Sequence, residues 1–383
     1  MPDVVVVGGG VVGASVAWHL ARRGIRDVLV VDRAATPGEG STGRATGGFR
    51  AQFGTDINVR LSLLAREELL RFREEVGADP GYRPAGYLWL ASSERELEAL
   101  RDAQRVQRGA GLRESRILAL SEVAVLNPRA SLEGIVGGAF CPLDGFLRPL
   151  DILNGYLAAA RRLGVSIRFG TEVVDFRHTA NRIEAVRLRD GDMPCGTVVN
   201  AAGAWAAPLG RLAGIDIPVS PLRRQVACTV PCDALPADMP MTIWTKDAFH
   251  LRVRDGRVLL LYPTEDRAGS FSTDVDRHWL AEVAQLAGLR VPALAGVALD
   301  EARCWAGLYE MSPDGHALLG TMPGCDNFVL VNGSSGHGVM HAPALGALAA
   351  ELIAEGRIRS LDAKQLRPTR FAEGEPIRGA SLL

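Results

Sequence analysis

VVVVGGGVVGASVAWHLARRG at residues 4–24, followed by VLVVDR at 28–33, reads as a complete dinucleotide-binding βαβ unit. Val4 to Val7 are β-branched and bounded by glycine, the pattern of a parallel strand buried on both faces. Gly8 allows the tight turn, Gly10 lets a pyrophosphate approach the backbone, and Gly13 lets the following helix pack closely on the strand. The first amides of that helix, around Val11 and Val12, face the phosphates, so the anion needs no lysine there. Val12, Val16 and Leu20 keep one apolar helix face, Gly24 suits the stop, and Val28 to Val31 form the second strand. Asp32 at its end can accept ribose hydroxyls. A GxGxxG alone also fits a structural turn; strand, helix, second strand and acid at this spacing specify the nucleotide site.

Working outward, 383 residues with 47% hydrophobic content can bury one large core or two smaller ones, so two interleaved domains are expected. Forty-three basic against forty-four acidic residues create no field to attract nucleic acid or an anionic membrane, and no apolar run approaches a spanning helix. A small-molecule enzyme fits this balance. The first strand opens at residue 4, leaving no room for a secretory leader, and six cysteines without paired spacing suit reduced thiols; a cytoplasmic location is expected. Cys228 and Cys232, one residue too far apart for CxxC, read as core, and no metal site is expected. Lys246 and Lys364 are the two lysines, so a carboxylate-binding cation in a pocket is expected to be arginine.

The α/β signals recur in three separated blocks. After the first, 58–76 reads as a helix, 87–91 as a strand and 94–109 as a charged helix. The second carries a helix at 150–163, a strand at 165–169, a strand pair within 173–189 and an apolar strand at 197–201 closing on GAWA. Strands at 218–230 and 249–262 follow, the latter a hairpin turning at Asp255-Gly256. The third block has a strand at 328–331, the loop NGSSGHG and a helix from Ala344 to Glu355 ended by Gly356. The fold class is therefore α/β, α+β overall: a discontinuous Rossmann-like domain (1–85, 145–217 and 301–370) with an inserted, mostly antiparallel β-sheet substrate domain (86–144 and 218–300) and a tail at 371–383.

Glycine-rich loops recur at 38–48, at 203 and at 333–338, which implies a longer cofactor than NAD. The residues that carry a family likeness are GGGVVG with VVDR, STGRATGG at 41–48, TEVV at 171–174, VVNAAGAW at 198–205, WAGLYEMSPDGHALLG at 305–320 and SSGHGVMHAP at 334–343. On these, across almost its full length, the chain resembles the superfamily of FAD-dependent amine oxidoreductases that holds glycine oxidase, sarcosine oxidase and D-amino-acid oxidase. STGRATGGFRAQFG and GHGVMHAP look most like the β-type subunits of heteromeric sarcosine oxidase and dye-linked proline dehydrogenase. The resemblance implies non-covalent FAD. It implies that Gly8, Gly10, Val11, Val12, Gly13, Asp32, Arg33, Thr42, Gly43, Ala45, Thr46, Gly47 and Gly48 hold the adenosine, the pyrophosphate and part of the flavin. Val173 meets the adenine through its backbone, and Ala202, Gly203, Trp205 and Gly333 are further cofactor contacts. Gly307, Gly336, His337, Gly338 and Val339 lie along the isoalloxazine, where amides and a helix start can stabilise negative charge. Gly307 stands where monomeric sarcosine oxidases carry their flavin-attaching cysteine, and Cys304 reads as core.

Amino-acid oxidation by a flavin needs the substrate Cα against flavin N5, its carboxylate anchored and its amine neutral. By the same resemblance Arg50 in FRAQFG is the first choice for the carboxylate, the alternative being a surface ion pair. The family lysine of the GHG loop is Met340 here, and where glycine oxidase has an arginine this chain has Tyr309. His250 falls where relatives have an active-site tyrosine, and Arg252, two residues on, shares its strand face. Either could instead be a satisfied core residue. If Arg50 and Arg252 both reach the pocket, two carboxylates are accommodated, as in an N-carboxymethyl amino acid. Phe49, Trp244, Leu251 and Met340 would then line an alkyl site or belong to plain core. The expected reaction takes two electrons from a secondary or N-substituted amino acid and releases an imine that water hydrolyses, with oxygen or a protein or dye as acceptor. The alternative is an FAD-binding β-type subunit that depends on a partner, and the sequence leaves oligomeric state open.

Overall fold

A computed structural model describes residues 2–25, 27–263 and 269–379; of the expected tail, 380–383 lie outside the described residues. The valine-rich first strand, Val4–Val7, sits inside a six-stranded sheet, flanked in parallel by Val28–Val31 and Thr197–Asn200. Ser166–Arg168 extends the sheet beyond Val28–Val31, and Cys325–Asn332 followed by the antiparallel Leu318–Met322 extends it on the other side. Successive strand side chains leave opposite faces, and each face has its own cover. Val4, Val6, Val28 and Val30 pack into one core with the helices Val11–Arg22, Pro149–Arg162 and Gly338–Glu355. Val5, Val7, Leu29 and Val31 pack into another with Phe176, Ile183 and Val186 of the three-stranded meander spanning 173–194. An unbroken apolar run is what a strand covered on both faces requires.

The second sheet has eight strands in the order Trp305–Met311, Ser220–Cys228, Arg257–Leu261, His250–Arg254, Met241–Trp244, Tyr87–Ala91, Gly137–Cys141 and Arg116–Leu118. All its pairs are antiparallel except Met241–Trp244 with Tyr87–Ala91. The hairpin turns at Asp255 and Gly256, both with positive φ, as expected of a two-residue connection. One face, through Leu88, Leu90, Leu251 and Val253, meets Trp279, Leu280 and Val283 of the helix Arg277–Arg290. The other, bearing Tyr87, Ile243, His250 and Tyr309, turns to the nucleotide-binding sheet.

Two differences from the sequence reading matter for the site. The strand Trp305–Met311 belongs to the larger sheet, paired with Ser220–Cys228 along seven residues, although it lies beyond the boundary placed at 301. The last long helix begins at Gly338, not Ala344, and carries Pro343 in its second turn. That helix start therefore lies immediately after the glycine-rich loop. Among the described residues no helix is long and apolar enough to cross a membrane.

Candidate active site

A cavity of about 1140 Å³ runs from the carboxyl ends of the parallel strands, at Val7 and Val31, to the inner face of the eight-stranded sheet. Its first end follows from the βαβ unit. Gly8 has φ of +112°, and a Cβ there would collide with the Ala201 carbonyl. Asp32 accepts the Gly9 amide at 2.7 Å and the Ala34 amide at 2.8 Å, which fixes the carboxylate at the cavity wall. Thr42 Oγ1 accepts the Val11 amide at 3.1 Å, so the 41–48 loop caps the helix Val11–Arg22 from a distance. The Arg33 guanidinium stacks 4.3 Å above the Trp205 ring. The length, the exposed loop backbone and the acid fit a dinucleotide with a further ring system, as the resemblance requires.

Most of the expected cofactor residues line this cavity: Gly8, Gly10, Val11, Val12, Asp32, Arg33, Thr42, Ala45 to Gly48, Val173, Ala202, Gly203, Trp205, Gly307, Gly336, His337, Gly338 and Val339. Gly13, Gly43 and Gly333 lie one layer back. A Cβ at Gly13 would strike the Gly8 carbonyl and one at Gly43 the Gly38 carbonyl; one at Gly333 would come within 3.2 Å of the Leu318 and Ser312 side chains. These three set backbone spacing. No cysteine and no lysine is among the described lining residues, and the Cys304 thiol points at the Asp300 carbonyl, 3.4 Å away.

At the far end Arg50 is 4% exposed, its guanidinium 4.2 Å over Phe53 and 5.3 Å from Trp89. Burial pulls its pKa down to about 10, opposed by Tyr87, Asp144 and Tyr309, so it stays charged at neutral pH. Its Nη2 lies 3.1 Å from His337 Nε2. A guanidinium only donates, so Nε2 accepts and the His337 proton resides on Nδ1. Burial first, then Arg50 and two neighbouring histidines, hold His337 neutral. Behind this pair, Asp144 accepts the Ala51 amide at 2.7 Å and Gln52 Nε2 at 2.9 Å, locking the strand turn that presents Arg50. His250 also lines the cavity; its Nδ1 donates to the Ala248 carbonyl at 2.8 Å, leaving Nε2 as an acceptor. Burial lowers its pKa to about 4, with Arg50 and Arg224 adding to the effect. Tyr309 and Met340 complete this wall, and Gly336, at φ of +92°, leaves room for the Tyr309 ring.

Arg252 takes a different place from the one expected. It shares the strand face of His250 but does not line the cavity: Nη1 donates to the Thr46 carbonyl at 2.7 Å and the Gly47 carbonyl at 3.1 Å, with Phe146 3.7 Å beneath. It binds the loop, giving the Thr46 carbonyl a donor and the Gly47 carbonyl, which also accepts the Leu147 amide, a second one. Arg252→Met is expected to cost about 2 kcal/mol of stability through those lost charged hydrogen bonds, with KM for any substrate changed less than about threefold; denaturant titration beside steady-state kinetics checks both. Phe49, Trp244 and Leu251 are core, leaving Met340 as the one apolar candidate of the four at the cavity.

A second arginine lines this end of the cavity: Arg224, half-buried on Ser220–Cys228 and 5.8 Å from the Tyr309 ring. Sequence reading passed over it because RRQ gives no sign of which arginine faces inward; pairing with Trp305–Met311 sets that register, opposite Gly307. Tyr87, read only as a strand residue, lines the cavity with its hydroxyl against Gly48, where a Cβ would clash. Glu310 is a further lining residue without a sequence signal.

Comparison with known proteins finds a family and several relatives that the chain resembles. Residues 3–352 match the model of the family described as FAD dependent oxidoreductase, DAO. The chain is 31% identical to FAD-dependent oxidoreductase domain-containing protein 1 of Xenopus laevis, over 98% of this chain and 83% of that one. It is 28% identical to glycine oxidase of Geobacillus kaustophilus, over 92% of each. The crystal structure of L-proline dehydrogenase from P. horikoshii superposes with a TM-score of 0.90 at 29% identity, covering 98% of this chain and 99% of that one.

Proposed function

Because this chain belongs to the FAD-dependent oxidoreductase family, a flavoenzyme family acting on CH–NH groups of amino acids, we propose that it oxidises a secondary or N-substituted amino acid, N-carboxymethyl amino acids included. The observation that carries this reading is that Arg50, Arg224, His250 and Tyr309 together line one end of the FAD-sized cavity. FAD, bound non-covalently, supplies the acceptor for the substrate's hydride. Arg50 grips the α-carboxylate in bidentate fashion, held in place by His337 and the Asp144 network. His250 Nε2 accepts a hydrogen bond from the amine, and its low basicity keeps it from taking a full proton at neutral pH. Phe53, Trp89 and Met340 help exclude water from this end. The resulting imine hydrolyses to amine and oxo acid, glyoxylate where the substituent is carboxymethyl.

Arg224 takes over the part expected of Arg252, as the cation for a second carboxylate. Anaerobic bleaching across an amine panel tests this. An N-carboxymethyl amino acid is expected to bleach the protein faster than sarcosine, and Arg224→Met to raise its KM about 10- to 100-fold, the worth of a charge-assisted contact, while sarcosine changes less than threefold. Sarcosine far ahead of the dicarboxylates would overturn the substrate assignment. Electrons leave to oxygen or to a protein or dye acceptor, which oxygen uptake against dye reduction distinguishes. Bleaching of the isolated chain decides against a subunit that works only with a partner. A cytoplasmic site suits the six free cysteines.

A further inference from the structure

The reaction assigned above uses Arg50, His250 and Arg224, and gives no task to Glu310, an ionisable residue that also lines the cavity. Glu310 follows Tyr309 on Trp305–Met311, so the two side chains leave opposite faces of the strand. Tyr309 turns to the arginines. Glu310 turns to the loop 333–337, which is stitched to the same strand by the Met311–Ser334 bridge, by the Ser335 amide on the Glu310 carbonyl at 3.1 Å and by the Ser312 amide on Ser335 Oγ at 3.1 Å. Its carboxyl thus sits at the head of the 18-residue helix Gly338–Glu355, where a Cβ on Gly338 would lie 3.8 Å from Oε1. Among the described residues Oε2 is buried without a hydrogen-bond partner, and so is Ser334 Oγ.

A buried carboxylate oxygen with no donor is costly unless it carries a proton or gains one in use. Burial raises the Glu310 pKa to about 7, although the Ser334 hydroxyl and the Ser334 and Gly333 amides nearby pull it down. No charged side chain contributes to that balance. The residue opposite on Ser220–Cys228 is Pro221, and His337 at the helix head is kept neutral by burial. The βαβ unit fixes the adenosine and pyrophosphate near Gly8 to Gly13 and Asp32, so the ring end of the cofactor must occupy the remaining stretch of cavity, lined by 307–310 and 336–340.

We propose that Glu310 is the proton-holding residue of the cofactor site: its carboxyl, one oxygen of which is buried without a hydrogen-bond partner, takes up a proton from solvent when the bound FAD gains two electrons. The hydride brings two electrons and one proton to the cofactor, leaving one negative charge. Uptake of one further proton by Glu310 cancels that charge inside a low-dielectric cavity. The inference rests on FAD binding alone and holds whatever the amino-acid substrate.

Potentiometric titration of the FAD-loaded protein with a dye mediator, repeated across pH, tests it without substrate. A two-electron couple moves by about 30 mV per pH unit for each proton taken up. Below about pH 7 Glu310 is protonated in both redox states and contributes nothing, so wild-type protein should follow a slope of about 30 mV. Above about pH 7 the oxidised form loses that proton and the slope should steepen to about 60 mV. E310Q should keep the shallow slope throughout, and E310D should restore the steep limb. A shallow wild-type slope at every pH, or a steep limb persisting in E310Q, overturns the proposal. Should E310Q not retain FAD, the reduced-minus-oxidised infrared difference of wild-type protein above pH 7 must gain a protonated-carboxyl band that shifts in E310D; no such band, or an unshifted one, is equally fatal.

Discussion

Arg50→Met should lower kcat/KM by about a thousandfold while the protein remains folded and yellow. Arg50 is a buried cation at the end of the cavity proposed for the reaction, and truncating one partner of a buried charged contact costs about 2–5 kcal/mol. A loss near 4 kcal/mol corresponds to about three powers of ten in rate. Methionine is close in length and can fill the space between Phe53 and Trp89, so packing contributes little to the loss. The Arg50 amide also contacts Met340 sulfur at 3.3 Å, a backbone contact the variant keeps. Arg50→Lys should regain part of the activity, because charge returns without the planar fork. Single-turnover bleaching as a function of substrate concentration locates the defect. A rise in apparent Kd with FAD content unchanged marks an anchor; a fall in FAD content with normal Kd would make Arg50 structural. A loss below tenfold would shift the carboxylate anchor to Arg224.

The second large effect concerns stability. Arg370 is fully buried, donating from Nε and Nη2 to the two oxygens of Asp314, each at 2.8 Å. It also donates to the carbonyls of Ala317, Leu366, Arg367 and His316. Burial alone would raise the Asp314 pKa, yet Arg370, His316 and the Ile377 amide hold it far below the usual carboxylate range. Arg370→Met leaves that carboxylate buried and unpaired and is expected to remove about 3–5 kcal/mol, measured as the shift of the urea midpoint at constant m. The double variant D314N/R370M, which also removes the stranded charge, should recover part of it. A single-variant loss under 1 kcal/mol would mean that desolvation of the pair already cancels its attraction.

Arg370 had no sequence signal, and the reason separates what was legible from what was not. The strands Val4–Val7 and Val28–Val31 and the helices Val11–Arg22 and Glu94–Gly109 follow from periodicity and glycine placement, because local pattern and burial coincide there. Gly137–Cys141, glycine-led, and Met241–Trp244, four residues long, have too little period to read, although both sit inside the larger sheet. The start of the last helix was hidden by Pro343 and by glycines that normally punctuate loops. At the site, the glycine motifs announced themselves, whereas Arg224 and Glu310 depend on the register between Ser220–Cys228 and Trp305–Met311, some eighty residues apart. Arg252 was placed on the correct strand face, but the loop it ties down arrives from residues 46–47, and alternation says nothing about what lies across.

That loop has a wider consequence. Ser41 bonds the Leu308 carbonyl, Arg44 the Ala306 carbonyl, Trp305 the Arg44 carbonyl, and Arg252 the carbonyls of Thr46 and Gly47. The stretch 41–48 is thus a wall common to the nucleotide half and the substrate half. The two halves are not interchangeable parts: a chimaera that borrows the larger sheet from a relative must borrow this stretch with it. Divergence of specificity in such a protein is then constrained to proceed by coordinated change on both sides of the wall, because neither half carries the pocket alone.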